Sequence, residues 1–73
     1  MTGWTLIAAA REIAAGEVRD AGIVDYWQRT GENWTTWKVT VADIAWAEET
    51  TDAPVDAGDL QELVREELRK LVE

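Results

Sequence analysis

Carboxylates and tryptophans are the side chains of this sequence that could carry chemistry. The 73 residues include 15 Asp and Glu, 7 Lys and Arg and 5 tryptophans, but no histidine, cysteine or serine. A nucleophile would have to be a threonine or a lysine beside a carboxylate, and a carboxylate pair acting on a sugar would need a cleft that so short a chain does not easily form. The composition therefore predicts a protein that is not an enzyme and uses no cofactor.

Metal binding is disfavoured by the same composition. Thiolate and imidazole ligands are absent, which removes the usual zinc sites. Asp52, Asp56 and Asp59 are close in sequence, but they lack the alternating pattern and the terminal bidentate glutamate of a calcium loop. We therefore predict no metal site.

The acidic residues are concentrated in one part of the chain. The net charge is −8, and no basic residue occurs between Lys38 and Arg65. A field of this sign repels nucleic-acid phosphates and anionic lipids, and it attracts a basic protein surface. The candidate acidic edge toward such a partner consists of Asp43, Glu48, Glu49 and Asp52. The alternatives are a solvated loop with acids that stabilise a helix N-terminus, and an imitation of nucleic-acid charge.

Two segments rich in β-branched and aromatic residues predict strands, Ile23 to Thr30 and Trp34 to Val41. Gly31-Glu32 between them fits the two-residue type II′ turn, in which glycine supplies a positive φ. The resulting register pairs Tyr26 with Trp37 and Val24 with Val39 on one face, and Asp25 with Lys38 on the other. The sequence therefore predicts a twisted antiparallel β-hairpin.

The hairpin register also predicts a binding surface. Trp27 and Trp34 would lie diagonally adjacent on the face that the helices leave uncovered, with Arg29 beside them. Exposed tryptophans among polar groups are typical of protein-interaction hot spots. In the alternative the two indoles cover each other or pack under a loop. A stacking platform for a sugar or a base is disfavoured, because base stacking normally accompanies a basic groove.

A helix precedes the predicted hairpin, and a segment with two possible structures follows it. Trp4 to Ala15 is an alanine-rich helix, which Thr2 or Thr5 would cap and Gly16 would end. Residues 42–51 favour a strand, with a β-bulge at Ala42-Asp43 that turns Ile44 and Trp46 inward. The competing interpretation is a short helix capped by Thr40 or Asp43.

The last segment predicts an amphipathic helix that Asp56 caps, with Asp59 three residues further on. Its apolar stripe would cover the hairpin or pair with the same stripe of a second chain. The stripe consists of Leu60, Leu63, Val64, Leu68, Leu71 and Val72. A chain this small buries only about 60% of its unfolded surface as a monomer, so self-association is expected.

Together these features predict one small acidic domain over residues 1–73, of the α+β class. It would hold an N-terminal helix, a twisted antiparallel β-hairpin that is possibly bulged or extended through Trp46, and a C-terminal amphipathic helix. The expected function is a non-enzymatic, self-associating protein-interaction module that meets a basic protein partner. Direct binding of nucleic acid or membrane is not expected.

Two other functions stay open. One is an acidic inhibitor of the phage type, which imitates nucleic acid and occupies a host nucleic-acid-binding protein. The other follows from the order helix, hairpin, helix, which resembles small phage head–tail joining proteins and would make the chain a structural connector. The start Met1-Thr2-Gly3-Trp4 lacks the basic region of a secretory signal, and no apolar run reaches the roughly 18 residues of a membrane span, so a cytoplasmic location is expected.

Overall fold

Helices account for all the regular structure in the computed structural model, which describes residues 3–73. Within that range no residue lies in a β-strand, so the predicted α+β class and its hairpin are wrong. No helix in the described part of the chain is long and apolar enough to cross a membrane. The elements are α1 (Leu6–Arg19), α2 (Ile23–Thr30), a 3-10 helix (Trp34–Thr36), α3 (Val41–Thr51) and α4 (Ala57–Val72).

Gly31 ends a helix at the place where the sequence predicted a hairpin turn. It has the positive φ, 79°, that the hairpin prediction required. Its ψ of 8° places it in the left-handed helical conformation that ends an α-helix, not at the ψ of about −120° of a type II′ turn, and the Gly31 N–H donates to the Trp27 carbonyl at 2.8 Å. The Thr30 hydroxyl adds a bond to the Tyr26 carbonyl at 3.0 Å. The glycine therefore has the predicted sign of φ, but the type II′ turn is wrong, and the predicted register pairs do not form.

The second predicted strand is replaced by a 3-10 turn and an extended segment. The Asn33 side chain starts the turn by accepting the Thr35 N–H at 2.8 Å. Side chains of α4 then take the place of a neighbouring strand. Arg65 Nε donates to the Trp37 carbonyl at 2.8 Å, and Gln61 Oε1 accepts the Val39 N–H at 3.0 Å. Two backbone groups that a neighbouring strand would have bonded are thus satisfied by α4.

Residues 41–51 form a helix, so the preferred strand and its bulge at Ala42-Asp43 are wrong and the competing helix is correct. Thr40 Oγ1 accepts the Asp43 N–H at 3.1 Å, and the Asp43 carboxylate accepts the Thr40 N–H at 3.1 Å, which is a capping box. The helical period then sends Ile44 and Ala47 inward, whereas Trp46 remains 37% exposed. In a strand, Ile44 and Trp46 would have lain on the same face.

The two outer helices largely follow the sequence prediction. α1 is capped by Thr5, whose Oγ1 accepts the Ala8 N–H at 3.1 Å, while Thr2 lies outside the described residues. α1 continues through Gly16 to Arg19, so the predicted end at Gly16 is wrong. α4 confirms its predicted cap, because Asp56 Oδ1 accepts the Asp59 N–H at 3.0 Å.

The core lies between α1 and α4, with α3 and two tryptophans closing it. The small side chains of Ala10 and Ala14 let α1 approach α4 closely, and Ala47 of α3 is buried in the same core. Trp27 and Trp37 supply large apolar areas around this centre. The most deeply buried large side chains are Leu60, Val64 and Leu68. That part of the α4 stripe is therefore used within the monomer.

Candidate binding cleft between α1 and α3

α1 and α3 pack side by side in opposite directions and form a cleft between them. At one end the backbone N–H of Trp4, just before α1, donates to the Thr50 carbonyl near the end of α3 at 3.1 Å. At the other end Glu17 in α1 and Asp43 in the first turn of α3 line the same opening. Gly3 permits the first contact, since a Cβ on it would overlap the Thr50 carbonyl oxygen.

We call this opening the α1–α3 cleft, and its lining is mostly acidic. It has a volume of about 300 Å³ and is open to solvent. The residues that line it are Glu12, Ile13, Gly16, Glu17, Arg19 and Asp20 from α1 and its end, and Asp43 and Trp46 from α3. Four carboxylates thus face one basic side chain. An aromatic wall completes the lining.

The charges inside the cleft are poorly compensated. Arg19, its basic residue, pairs with the adjacent Asp20 at 3.3 Å. Among residues 3–73, Glu12, Glu17 and Asp43 make no ion pair. Partial burial raises the pKa of Glu17, and the negative charge of Asp43 raises it further, while hydrogen bonding from the Trp37 side chain partly opposes both effects. The cleft therefore holds like charges together at an energetic cost that a bound cation would relieve.

Trp46 forms the aromatic wall, and Trp4 supports it. The two indole rings meet edge to face, with centroids 5.8 Å apart and planes at 86°. Trp4 remains 48% exposed and Trp46 37% exposed, so both keep surface for another molecule. An indole beside carboxylates can attract an organic cation by ring quadrupole and charge together.

Comparisons with protein-family models, with curated proteins and with solved structures found no match. In the part of the chain that the structure describes, no group of three or more carboxylates is arranged to hold a metal ion.

The tryptophan surface predicted from the hairpin is not formed. Trp27 is only 7% exposed and belongs to the core, so little of its ring is presented to a partner. Trp34 is half-buried, and its indole N–H donates to Glu73 Oε2 at 2.9 Å. Arg29 is exposed in the last turn of α2. The hairpin that would have united the three residues is absent from residues 3–73, and a role of Trp34 and Arg29 in binding stays a prediction.

The predicted acidic edge divides into residues with different roles. Asp43 caps α3 and also lines the cleft. Glu48 Oε2 accepts the Val55 N–H at 3.1 Å, which holds the loop after α3. Asp52 ends that helix with a φ of 55°. Glu49 is exposed. Of these four residues, only Asp43 faces the α1–α3 cleft.

Sequence reasoning missed Glu12, Glu17 and Trp46 as site residues. The signal was present, because positions 12, 13, 16, 17 and 20 lie on one side of a helix. Because the helix was predicted to end at Gly16, positions 17 and 20 were not placed on the same helix face as positions 12 and 13. The strand predicted for residues 42–51 turned Trp46 inward, so its exposure was not predicted.

Proposed function

We propose that this protein is a non-enzymatic protein-interaction module whose α1–α3 cleft receives a basic segment of a protein partner. The observation that carries the proposal is the convergence of four carboxylates from two helices around one base that is already paired. A cation from outside would reduce the repulsion between Glu17 and Asp43. Electrostatic attraction of this kind raises association rates and selects basic partners.

The chemistry of the side chains supports a binding role over catalysis. Histidine, cysteine and serine are absent from the sequence. Asp43 is occupied as a helix cap, since its Oδ2 also accepts the Thr40 hydroxyl at 2.9 Å. A carboxylate committed to the helix start is a poor general base, whereas it still contributes its charge to binding.

Two charge-matched double variants test the proposal. Glu12→Gln/Glu17→Gln removes two charges from the cleft, and Asp25→Asn/Glu49→Gln removes two charges from exposed positions outside it. The binding of an acetylated, amidated tetralysine peptide would be measured by calorimetry at low salt. We expect the cleft variant to lose most of the affinity and the control to lose little. Equal losses would show that only net charge matters and would contradict the proposal.

Imitation of nucleic acid is the second candidate, and the density of charge weighs against it. The protein is 41 Å long and carries a net charge of −8, so one net charge falls on about every 5 Å, from 41 divided by 8. Duplex DNA carries one charge per about 1.7 Å. A mimic would show a steep loss of partner binding with salt and on neutralising Glu48, Glu49 and Asp52 together. A loss of partner binding that occurs only when cleft residues are substituted favours the protein-interaction module.

Self-association and a cytoplasmic location also belong to the proposal. The large apolar side chains left for a second copy include Trp4, Ile7 and Leu71, which are between 47% and 54% exposed. Sedimentation over a range of concentrations tests this, and a monomer at all of them would contradict it. A chain without cysteine needs no oxidising compartment for its stability, which is compatible with the cytoplasm. The head–tail connector loses its basis, because the hairpin on which that resemblance rested is absent from residues 3–73.

A further inference from the structure

We propose that the α1–α3 cleft selects arginine over lysine, with a guanidinium group of the partner lying against the Trp46 ring and pairing with Glu17 and Asp43. The inference rests on the proposed function, because it names the side chain that the same cleft receives. A guanidinium is planar, stacks on an indole and presents five N–H donors. An ammonium is a compact, strongly hydrated point charge that gains less from an aromatic wall.

The Trp46 wall is held in place before a partner arrives. Trp4 packs edge to face against it at 5.8 Å, and the Trp4 N–H is tied to the Thr50 carbonyl. The close approach of Gly3 to Thr50 fixes the same segment. An aromatic ring that is already positioned loses little freedom on binding, so more of its attraction for a cation appears as affinity.

Gly16 gives an independent indication that the cleft is kept open. It lies inside α1 and lines the cleft, and a glycine inside a helix weakens that helix relative to alanine. Neither backbone conformation nor packing requires it, since its φ is not positive and an added Cβ would meet no atom within 4 Å. What alanine would change is the space in the cleft. We infer that Gly16 leaves room for the flat guanidinium group.

Charge complementarity decides the class of occupant. The Glu12, Glu17 and Asp43 carboxylates have no ion-pair partner within residues 3–73, whereas the Arg19 charge is used by Asp20. Acceptors from two helices at one opening suit a group that presents several N–H donors in a plane. The occupant is therefore an arginine carried by a basic protein segment.

The test compares acetylated, amidated tetra-arginine and tetralysine peptides, which carry the same charge. Calorimetry at low salt would measure both dissociation constants for the wild-type protein and for Trp46→Leu, Trp34→Leu and Gly16→Ala. We expect tetra-arginine to bind more tightly by up to about fivefold, the ratio that an exposed cation–π contact would give if lysine gained none of it. The ratio falls in Trp46→Leu, which removes the ring but keeps the carboxylates, and is unchanged in Trp34→Leu, whose indole bonds Glu73 away from the cleft. In Gly16→Ala, tetra-arginine binding weakens while the protein becomes more stable, so this variant gives an answer even where Trp46→Leu folds poorly.

The outcomes separate the two proposals. Equal affinity for both peptides in the wild type, with both lost in Glu12→Gln/Glu17→Gln, overturns arginine selection and leaves the proposed function standing. An arginine preference that Trp46→Leu and Trp34→Leu diminish equally also overturns it. Binding of neither peptide to the wild type overturns the proposed function and the arginine site together.

Discussion

The ring of Trp4 meets the ring of Trp46 edge to face at 5.8 Å, and this contact joins the segment before α1 to α3. Residues 42 positions apart in sequence are thereby held in one surface feature beside the acidic cleft. Edge-to-face aromatic pairs contribute about 0.5–1.5 kcal/mol beyond the area they bury. The pair therefore contributes to stability and also fixes the aromatic wall of the candidate site.

Gly3→Ala should destabilise the protein by about 1–3 kcal/mol, the range typical of a steric conflict with the backbone. The added Cβ overlaps the Thr50 carbonyl oxygen, so the chain before α1 must move away from α3. The Trp4 N–H bond to Thr50 and the indole pair are lost with it. Denaturant unfolding measures the change in free energy, and near-ultraviolet circular dichroism reports the indole pair. An unchanged stability would show that this segment is not docked as described.

Gly16→Ala should have the opposite sign, which makes it the matched control for Gly3→Ala. The added methyl group meets no atom within 4 Å, and α1 gains about 0.5–1 kcal/mol because alanine loses less backbone freedom than glycine in a helix. The measurement is the same unfolding experiment. Destabilisation would mean that α1 ends at Gly16, as the sequence alone predicted.

Thr40→Ala should cost about 1 kcal/mol, because it removes the oxygen that accepts the Asp43 N–H at the start of α3. Thr40→Ser keeps that acceptor and should retain most of the stability. Thermal unfolding of the two variants measures the difference. Equal stability of Thr40→Ala and Thr40→Ser would argue against the capping box.

Glu17→Gln should stabilise the protein at neutral pH, and the gain should disappear in acid. The pKa of Glu17 is raised in the folded protein by burial and by Asp43, so the folded state holds this proton more tightly than the unfolded state does. Its favourable contribution is complete below the ordinary pKa of glutamate, about 4.3, and is lost as the pH rises through the raised value. The groups around it are Glu12, Arg19 and Asp20 of α1, Trp37, and Asp43 of α3.

The difference in melting temperature between Glu17→Gln and the wild type, followed from pH 7 to acid, measures this effect. Glu12→Gln serves as a control, because it removes a cleft charge from an exposed position. A gain from Glu17→Gln that does not change with pH would contradict the account of Glu17.

The sequence predicted the outer helices well because their signals are local. The Asp56 cap and the period of Leu60, Val64 and Leu68 lie within α4 itself, and the alanines of α1 favour helix strongly. The prediction for the middle of the chain was wrong for a physical reason. The positive φ of Gly31 serves a hairpin turn and a helix end equally, and only packing of Trp27 into the core distinguishes the two.

The candidate site was predicted only in part. Asp43 belonged to the expected acidic edge, and the preference for a basic partner follows from charge alone. The meeting of Glu17 with Asp43 depends on how α1 packs against α3, which no local pattern specifies. The exposure of Trp46 depends in turn on whether residues 42–51 have a period of 3.6 or of 2.

A nuclear magnetic resonance titration of the 15N-labelled protein with the tetralysine peptide tests the central claim most directly. Each backbone amide and each indole N–H is followed separately, so the experiment locates the contact without any substitution. We expect shifts concentrated at Glu12, Gly16, Glu17, Asp43 and the Trp46 indole. Shifts centred on Glu48 to Asp52, or spread evenly over the acidic surface, would contradict a binding site in the α1–α3 cleft.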